Sequence, residues 1–257
     1  MAASAPGFFG PVDAVAAVED RLAGSVPVRV YAPAPSEAAL VYCHGGGWVT
    51  GELDTHDGIV RALAARSGRT VVSVGYRLAP EHPFPAALDD LRTAVHWSLD
   101  RFDAVGVGGD SSGATLAAVV ARELPVGVQL LICPPLDARF DTGSYEQFAD
   151  GTNVTREAMQ WYWAQYLGGA DPADPDAAPL RAPDLSGAAP AIVAVADCDP
   201  LRDDGLAYAA RLEAAGVPVS LHRYEGMLHD FVRFAAWLDR ASTALDELAA
   251  ELAVRLR

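Results

Sequence analysis

Residues Gly109-Asp110-Ser111-Ser112-Gly113 set a serine hydroxyl between two glycines, where a strand-like run at 104–109 gives way to a helical Ala/Val/Leu pattern. A serine is a weak nucleophile until a base takes its proton and donors stabilise the oxyanion that its attack creates. A G-x-S-x-G sequence at so abrupt a strand-to-helix turn meets the geometric half of that need. The serine is held in a strained conformation, the glycines let strand and helix approach closely, and the Ser112 N–H points where a tetrahedral oxyanion forms. The same residues also read as a plain Gly/Ser turn. Gly106, Gly108 and Gly113 imitate a dinucleotide-binding loop, but their spacing is wrong and the strand comes late in the chain.

A second glycine group, His44-Gly45-Gly46-Gly47-Trp48, directly follows the apolar run at 39–43. Three consecutive glycines let backbone N–H groups face a ligand without side-chain obstruction. Taken alone this is a flexible loop. Paired with the serine turn, at another strand end, it supplies the remaining oxyanion donors.

The elements that must position these groups alternate along the chain. The run at 26–33 alternates apolar and polar residues, as a strand near a sheet edge does. The runs at 39–44, 70–76, 104–109, 128–133 and 191–196 are nearly all apolar, which suits central parallel strands covered on both faces. A more polar strand is expected at 219–224. Between them lie helical stripes. One carries Ile59, Val60, Leu63 and Ala64, with Asp54 or Thr55 as its N-cap, and another carries Leu88, Leu91, Val95 and Leu99 after Pro85. A third helix closes at Gly216, and residues 230–257 read as one long amphipathic helix. This repeated β-then-α order predicts a mostly parallel α/β sheet flanked by helices in a single domain over 1–257. Residues 137–190 break the rhythm with a Pro/Asp-rich loop and an aromatic helix. They are expected to leave the sheet as a small helical cap, with residues 1–20 alongside.

Composition narrows the function. A net charge of −15 over 257 residues argues against nucleic acid or an anionic membrane as partner. All nineteen basic residues are arginine, so Schiff-base, pyridoxal phosphate and P-loop chemistry have no lysine to use. Cys43, Cys133 and Cys198 lie in or beside apolar strands at spacings that offer neither a disulfide framework nor a zinc site, which points to reduced thiols and a cytoplasmic protein. The N-terminus lacks a basic region followed by an apolar stretch, so no signal peptide is expected, and no window has the length and apolarity of a membrane span.

With "YRLAPEHPFPAALDD" at 76–90, "DPLRDDG" at 199–205 and "YEGMLHDF" at 224–231 added to the two glycine motifs, the sequence resembles the hormone-sensitive lipase family of α/β hydrolases, in its bacterial carboxylesterase branch. The resemblance implies an α/β-hydrolase fold, with Ser111 as nucleophile, Asp199 as acid and His229 as base. It also implies an oxyanion hole from the N–H groups of Gly46, Gly47 and Ser112, and no metal or cofactor. The residues agree on chain order, Ser then Asp then His. Of the histidines only His222 and His229 follow the candidate acids, and His222 sits inside a strand pattern. The acid itself is less determined by its surroundings, because Asp197, Asp199, Asp203 and Asp204 crowd one strand end. The "DPLRDDG" match selects Asp199, leaving Asp203 and Asp204 to open the next helix.

The implied reaction is hydrolysis of a small-molecule carboxylic ester, with short to medium acyl chains, through an acyl-Ser111 intermediate. Trp48, Trp161 and Tyr162, with Trp163 and Tyr166, are candidates to wall the substrate pocket, although an aromatic helix face packs equally well onto a sheet. Asp110 reads as an organiser of the serine turn, and Glu81-His82 as part of a structural loop. Only 43 residues precede His44, so the N-terminal part of the cap is expected to be trimmed and the acyl site open. Two rivals use the same scaffold: a biosynthetic acyl transferase, lactonase or eliminating enzyme, and a non-catalytic small-ligand receptor. The long C-terminal helix and last strand are candidates to pair two subunits as a homodimer.

Overall fold

In a computed structural model that describes residues 12–257, the apolar runs become strands of one eight-stranded sheet. In chain order the strands are β1 (Ala17–Ala23), β2 (Val26–Ala32), β3 (Ala38–Cys43), β4 (Thr70–Val74), β5 (Ala104–Asp110), β6 (Gln129–Ile132), β7 (Ala191–Cys198) and β8 (Val219–Leu228). The helices are α1 (Asp57–Ser67), α2 (Ala86–Leu99), α3 (Ser112–Glu123), α4 (Gly143–Gln147), α5 (Arg156–Leu167), α6 (Arg202–Ala214) and α7 (Asp239–Arg255). The spatial order is β1-β2-β4-β3-β5-β6-β7-β8. β2 pairs antiparallel with both β1 and β4, and every pairing from β4 across to β8 is parallel.

Strand periodicity divides the core between two faces. Ala39, Val41 and Cys43 of β3 pack with Leu88, Leu91 and Val95 of α2, Leu116 and Val120 of α3, and Leu212 of α6. Leu40 and Tyr42 of the same strand pack with Ile59, Val60 and Leu63 of α1 and Leu245, Leu248 and Leu252 of α7. Each fully buried Leu or Val adds about 1.5–3 kcal/mol to folding. Helices on both faces leave the C-terminal ends of the parallel strands as a common rim, where such folds hold ligands.

Three local expectations are corrected. The C-terminal segment is two elements, a 3-10 turn (Phe231–Phe234) and then α7. Asp230 adopts φ 61° and Leu238 is extended, so a continuous helix is broken at both points, while Phe231 and Val232 are buried. Neither Asp54 nor Thr55 caps α1; His56 occupies the cap position. Asp54 instead accepts from Arg29, and the Thr55 hydroxyl bonds within its own loop. The edge strand β1 was missed, because six of its seven residues are exposed and the "AVEDRLA" pattern carries no buried face. Its pairing follows from the tight turn at Gly24 (φ 60°). Of the stretch expected to join a cap, residues 1–11 lie outside the described residues and residues 17–20 belong to β1.

Between β6 and β7 the chain leaves the sheet for α4, α5 and the connecting loops. Both helices are capped as their sequences dictate: Thr142 accepts from the Tyr145 N–H and Thr155 from the Ala158 N–H. Among the described residues, no helix is long and apolar enough to cross a membrane.

Candidate active site

The serine turn is built by backbone strain and close approach. Ser111 takes φ 50°, a conformation rare for a side-chain-bearing residue, and its N–H donates to Ile132 O (2.8 Å). At Gly113 a Cβ would lie 2.1 Å from the Cys43 carbonyl oxygen, so only glycine lets α3 start this close to the end of β3.

Three strand ends converge on the Ser111 hydroxyl. β5 delivers Ser111, the loop after β7 delivers Asp199, and the loop after β8 delivers His229. His229 Nε2 lies 2.9 Å from Ser111 Oγ, and His229 Nδ1 lies 2.8 Å from Asp199 Oδ2. The other Asp199 oxygen accepts from the Leu201 N–H (2.9 Å), which fixes the carboxylate plane. All three side chains are buried. An ionised Asp199 makes Nδ1 the protonated nitrogen, leaving Nε2 to accept from the serine hydroxyl. Burial opposes charge on His229, but Asp199, together with Asp230 whose Oδ1 lies 3.4 Å from Nε2, outweighs it. The imidazole is therefore held well above its ordinary pKa.

The glycine loop is tied to this centre through Asp110. Its Oδ1 accepts from the Tyr42 hydroxyl (2.7 Å) and the Gly45 N–H (3.2 Å), and its Oδ2 lies 3.2 Å from His56 Nε2. Burial raises the Asp110 pKa, but His56 and the Tyr42 hydroxyl outweigh it and hold the carboxyl below the usual carboxylate range. Gly46 and Gly47 adopt φ 124° and 62°. No acceptor among the described residues takes the N–H of Gly46, Gly47 or Ser112. His44 stays neutral, pushed down to about 4 by burial and by His56; its ring stacks on Tyr76 at 4.3 Å.

The aromatic candidates separate. Tyr162 lies against the glycine loop so closely that a Cβ on Gly47 would sit 2.2 Å from its ring. Trp48, by contrast, is fully buried, stacked on Tyr166 (4.3 Å) and edge-on to Trp163 (4.7 Å), so it packs the core. Trp161 is half exposed, with Tyr162 at its edge. Glu81 and His82 sit in an exposed turn. Asp203 accepts from the Ser144 N–H, and Asp204 from the Leu136 and Asp137 N–H groups, so these acids anchor the departing 137–190 segment.

Three residues at the site carried no signal in the sequence. Asn153 donates from Nδ2 to His229 O (2.9 Å), Asp230 lies beside Nε2, and Cys133 is buried next to the His229–Asp199 pair. An apolar cavity of about 360 Å³ opens beside His229, lined by Asn153, Met227, Leu228, Phe231, Phe234 and Leu238.

Comparison with known proteins matches the chain to a family. The Abhydrolase_3 model, alpha/beta hydrolase fold, matches residues 40–233. The carboxylic ester hydrolase LipN of Mycobacterium tuberculosis is 41% identical over 257 aligned positions, covering 91% of this chain and 68% of LipN. The ethyl acetate hydrolase of Pseudomonas putida is 38% identical, covering 86% of this chain and 76% of its own length. Among solved structures, the thermostable carboxylesterase EstE1, cloned from a metagenomic library, superposes with a TM-score of 0.89 at 39% identity, covering 95% of this chain and 91% of EstE1.

Proposed function

We propose that this chain, which belongs to the Abhydrolase_3 family of the alpha/beta hydrolase fold, is a serine carboxylesterase that hydrolyses small carboxylic esters through an acyl-enzyme. The observation that carries the reading is the continuous hydrogen-bonded line Ser111 Oγ, His229 Nε2, His229 Nδ1, Asp199 Oδ2.

In the first half-reaction Ser111 Oγ attacks the ester carbonyl carbon while His229 Nε2 takes the hydroxyl proton. Asp199 holds the ring in the tautomer that can accept it and stabilises the imidazolium that results. The carbonyl oxygen becomes an oxyanion and accepts from the Gly46, Gly47 and Ser112 N–H groups, donors that need no reorganisation. Collapse expels the alkoxide, which takes the proton from His229. A water then attacks the acyl-Ser111 carbonyl, His229 again accepts a proton, and the carboxylic acid leaves as Ser111 is reprotonated.

The segment 137–190 acts as the cap, its Tyr162 and Asn153 reaching the glycine loop and the His229 loop. The cavity beside His229 accepts short to medium acyl chains. Three unpaired cysteines fit a cytoplasmic setting, and the free edge of β8 next to α7 is the surface for a homodimer.

A hydrolysis series over p-nitrophenyl esters of increasing acyl length tests the reading, with organophosphate labelling beside it. The expected result is a preference for short chains, an adduct on Ser111, and a loss of kcat on the order of a millionfold in Ser111→Ala. Folded protein that neither reacts with the organophosphate nor turns over any ester is a receptor instead.

A further inference from the structure

The mechanism leaves one reactive group at the site without a role. Cys133 follows β6 in a left-handed conformation (φ 48°), its N–H donating to Ala194 O, which fixes the residue beside the His229–Asp199 pair. The sulfur of Cys133, a ring nitrogen of His229 and a carboxylate oxygen of Asp199 all lie within 4.8 Å of one another. All three residues are buried.

We propose that Cys133, His229 and Asp199 form a binding site for a soft divalent cation such as Zn2+, and that occupancy switches the enzyme off. A thiolate, an imidazole and a carboxylate form a donor set suited to zinc. Tetrahedral donors at about 2.0–2.3 Å from a common ion lie about 3.3–3.8 Å apart, so the three groups close on a cation with side-chain movements of about 1 Å, leaving a fourth position for water. His229 borders the cavity that opens at the rim, which supplies a path to the ring.

Inhibition follows from proton accounting, and it rests on the reading of His229 as the base. The ion takes the Nδ1 lone pair in place of the proton shared with Asp199. The neutral ring must then carry its proton on Nε2, and the Cys133 thiol gives its own to solvent. With Nε2–H facing Ser111 Oγ, the serine proton has no acceptor. The ion locks the wrong tautomer and breaks the His229–Asp199 hydrogen bond in one event.

Two measurements on the full chain test this. Cobalt(II) titration reads binding directly through its thiolate charge-transfer absorption, and Zn2+ inhibition of ester hydrolysis, reversed by chelator, reads the switch. In Cys133→Ala and Cys133→Ser the cobalt–thiolate band is expected to disappear, and the Zn2+ concentration for half-inhibition to rise about tenfold or more. Cys198→Ser, one residue from Asp199 but outside the cluster, keeps both responses. Wild-type protein without the band, or equal Zn2+ sensitivity in the Cys133 variants, overturns the proposal. If no ester is hydrolysed, the function fails, while the cobalt band still decides the site.

Discussion

Asp110 and Asp204 are both buried carboxylates at the sheet's C-terminal rim, one on the half built from β3 and β5, the other on the half built from β6 to β8, and their pKa values shift in opposite directions. Asp110 has a histidine, a tyrosine hydroxyl and a backbone N–H around it, and is held below the usual carboxylate range. Asp204 accepts only from backbone N–H groups and has Asp137 and Asp199 as neighbours, so burial pushes it up to about 8. The first half of the rim surrounds its carboxylate with donors and carries Ser111 and the glycine loop. The second half concentrates acids around His229, which raises its basicity. The rim thus gathers donors around one carboxylate and acids beside the imidazole.

Removing charge from the acidic half breaks this division most severely. Asp199→Asn is expected to lower kcat by about 10⁴-fold, because the amide no longer selects the tautomer. It also removes the negative charge that holds His229 high, so the rise of kcat/KM with pH, which needs neutral His229, moves to lower pH. Full-range pH–rate profiles of both proteins check this; an unmoved profile assigns the raised pKa to another group, with Asp230 next in line.

On the half built from β3 and β5, Asp110→Asn leaves the chemistry in place but weakens the ties to Tyr42, the glycine loop and His56. A loss of about 10–1,000-fold in kcat is expected, the scale of misplaced oxyanion donors. Weakening a buried acceptor that serves Tyr42, Gly45 and His56 also costs about 1–3 kcal/mol of stability, read by urea denaturation. Wild-type turnover in this variant shows that the Gly45–Gly47 loop holds itself.

The last effect concerns stability alone. A carboxyl raised to about 8 in the fold ionises earlier in the unfolded chain, so its contribution is complete at low pH and is lost as pH climbs from about 4 through 8. Asp204→Asn, unable to ionise, is expected to lose less stability than wild type between pH 5 and 8.5. Parallel urea midpoints at the two pH values decide it.

The chemistry was more legible in the chain than its surroundings. Ser111, the glycine loop and His229 stand out in the sequence because they are reactive types at strand ends, and glycine is required where backbones touch. Asp199 is one of four aspartates that local pattern and chain order cannot rank; the resemblance of the "DPLRDDG" block selects it, and its Oδ2 lies 2.8 Å from His229 Nδ1. Trp48 looked like a pocket wall from its place beside the glycines, yet tertiary packing drew it under Tyr166 and Trp163. The single C-terminal helix failed for a related reason: amphipathic spacing persists through residues 231–238, but Asp230 and Leu238 take backbone angles that periodicity does not encode.

By itself the sequence determined the alternating α/β order, the two-faced core and the glycine-flanked serine, since each rests on local periodicity or on a conformation that glycine or strain must supply. Only the tertiary structure decided what stands beside what. Cys133, Asp199 and His229 are distant in the chain and meet because three parallel strands end at one rim. The opposite pKa shifts of Asp110 and Asp204 depend likewise on burial and neighbouring charge, which are properties of the assembled fold and of no single stretch of chain.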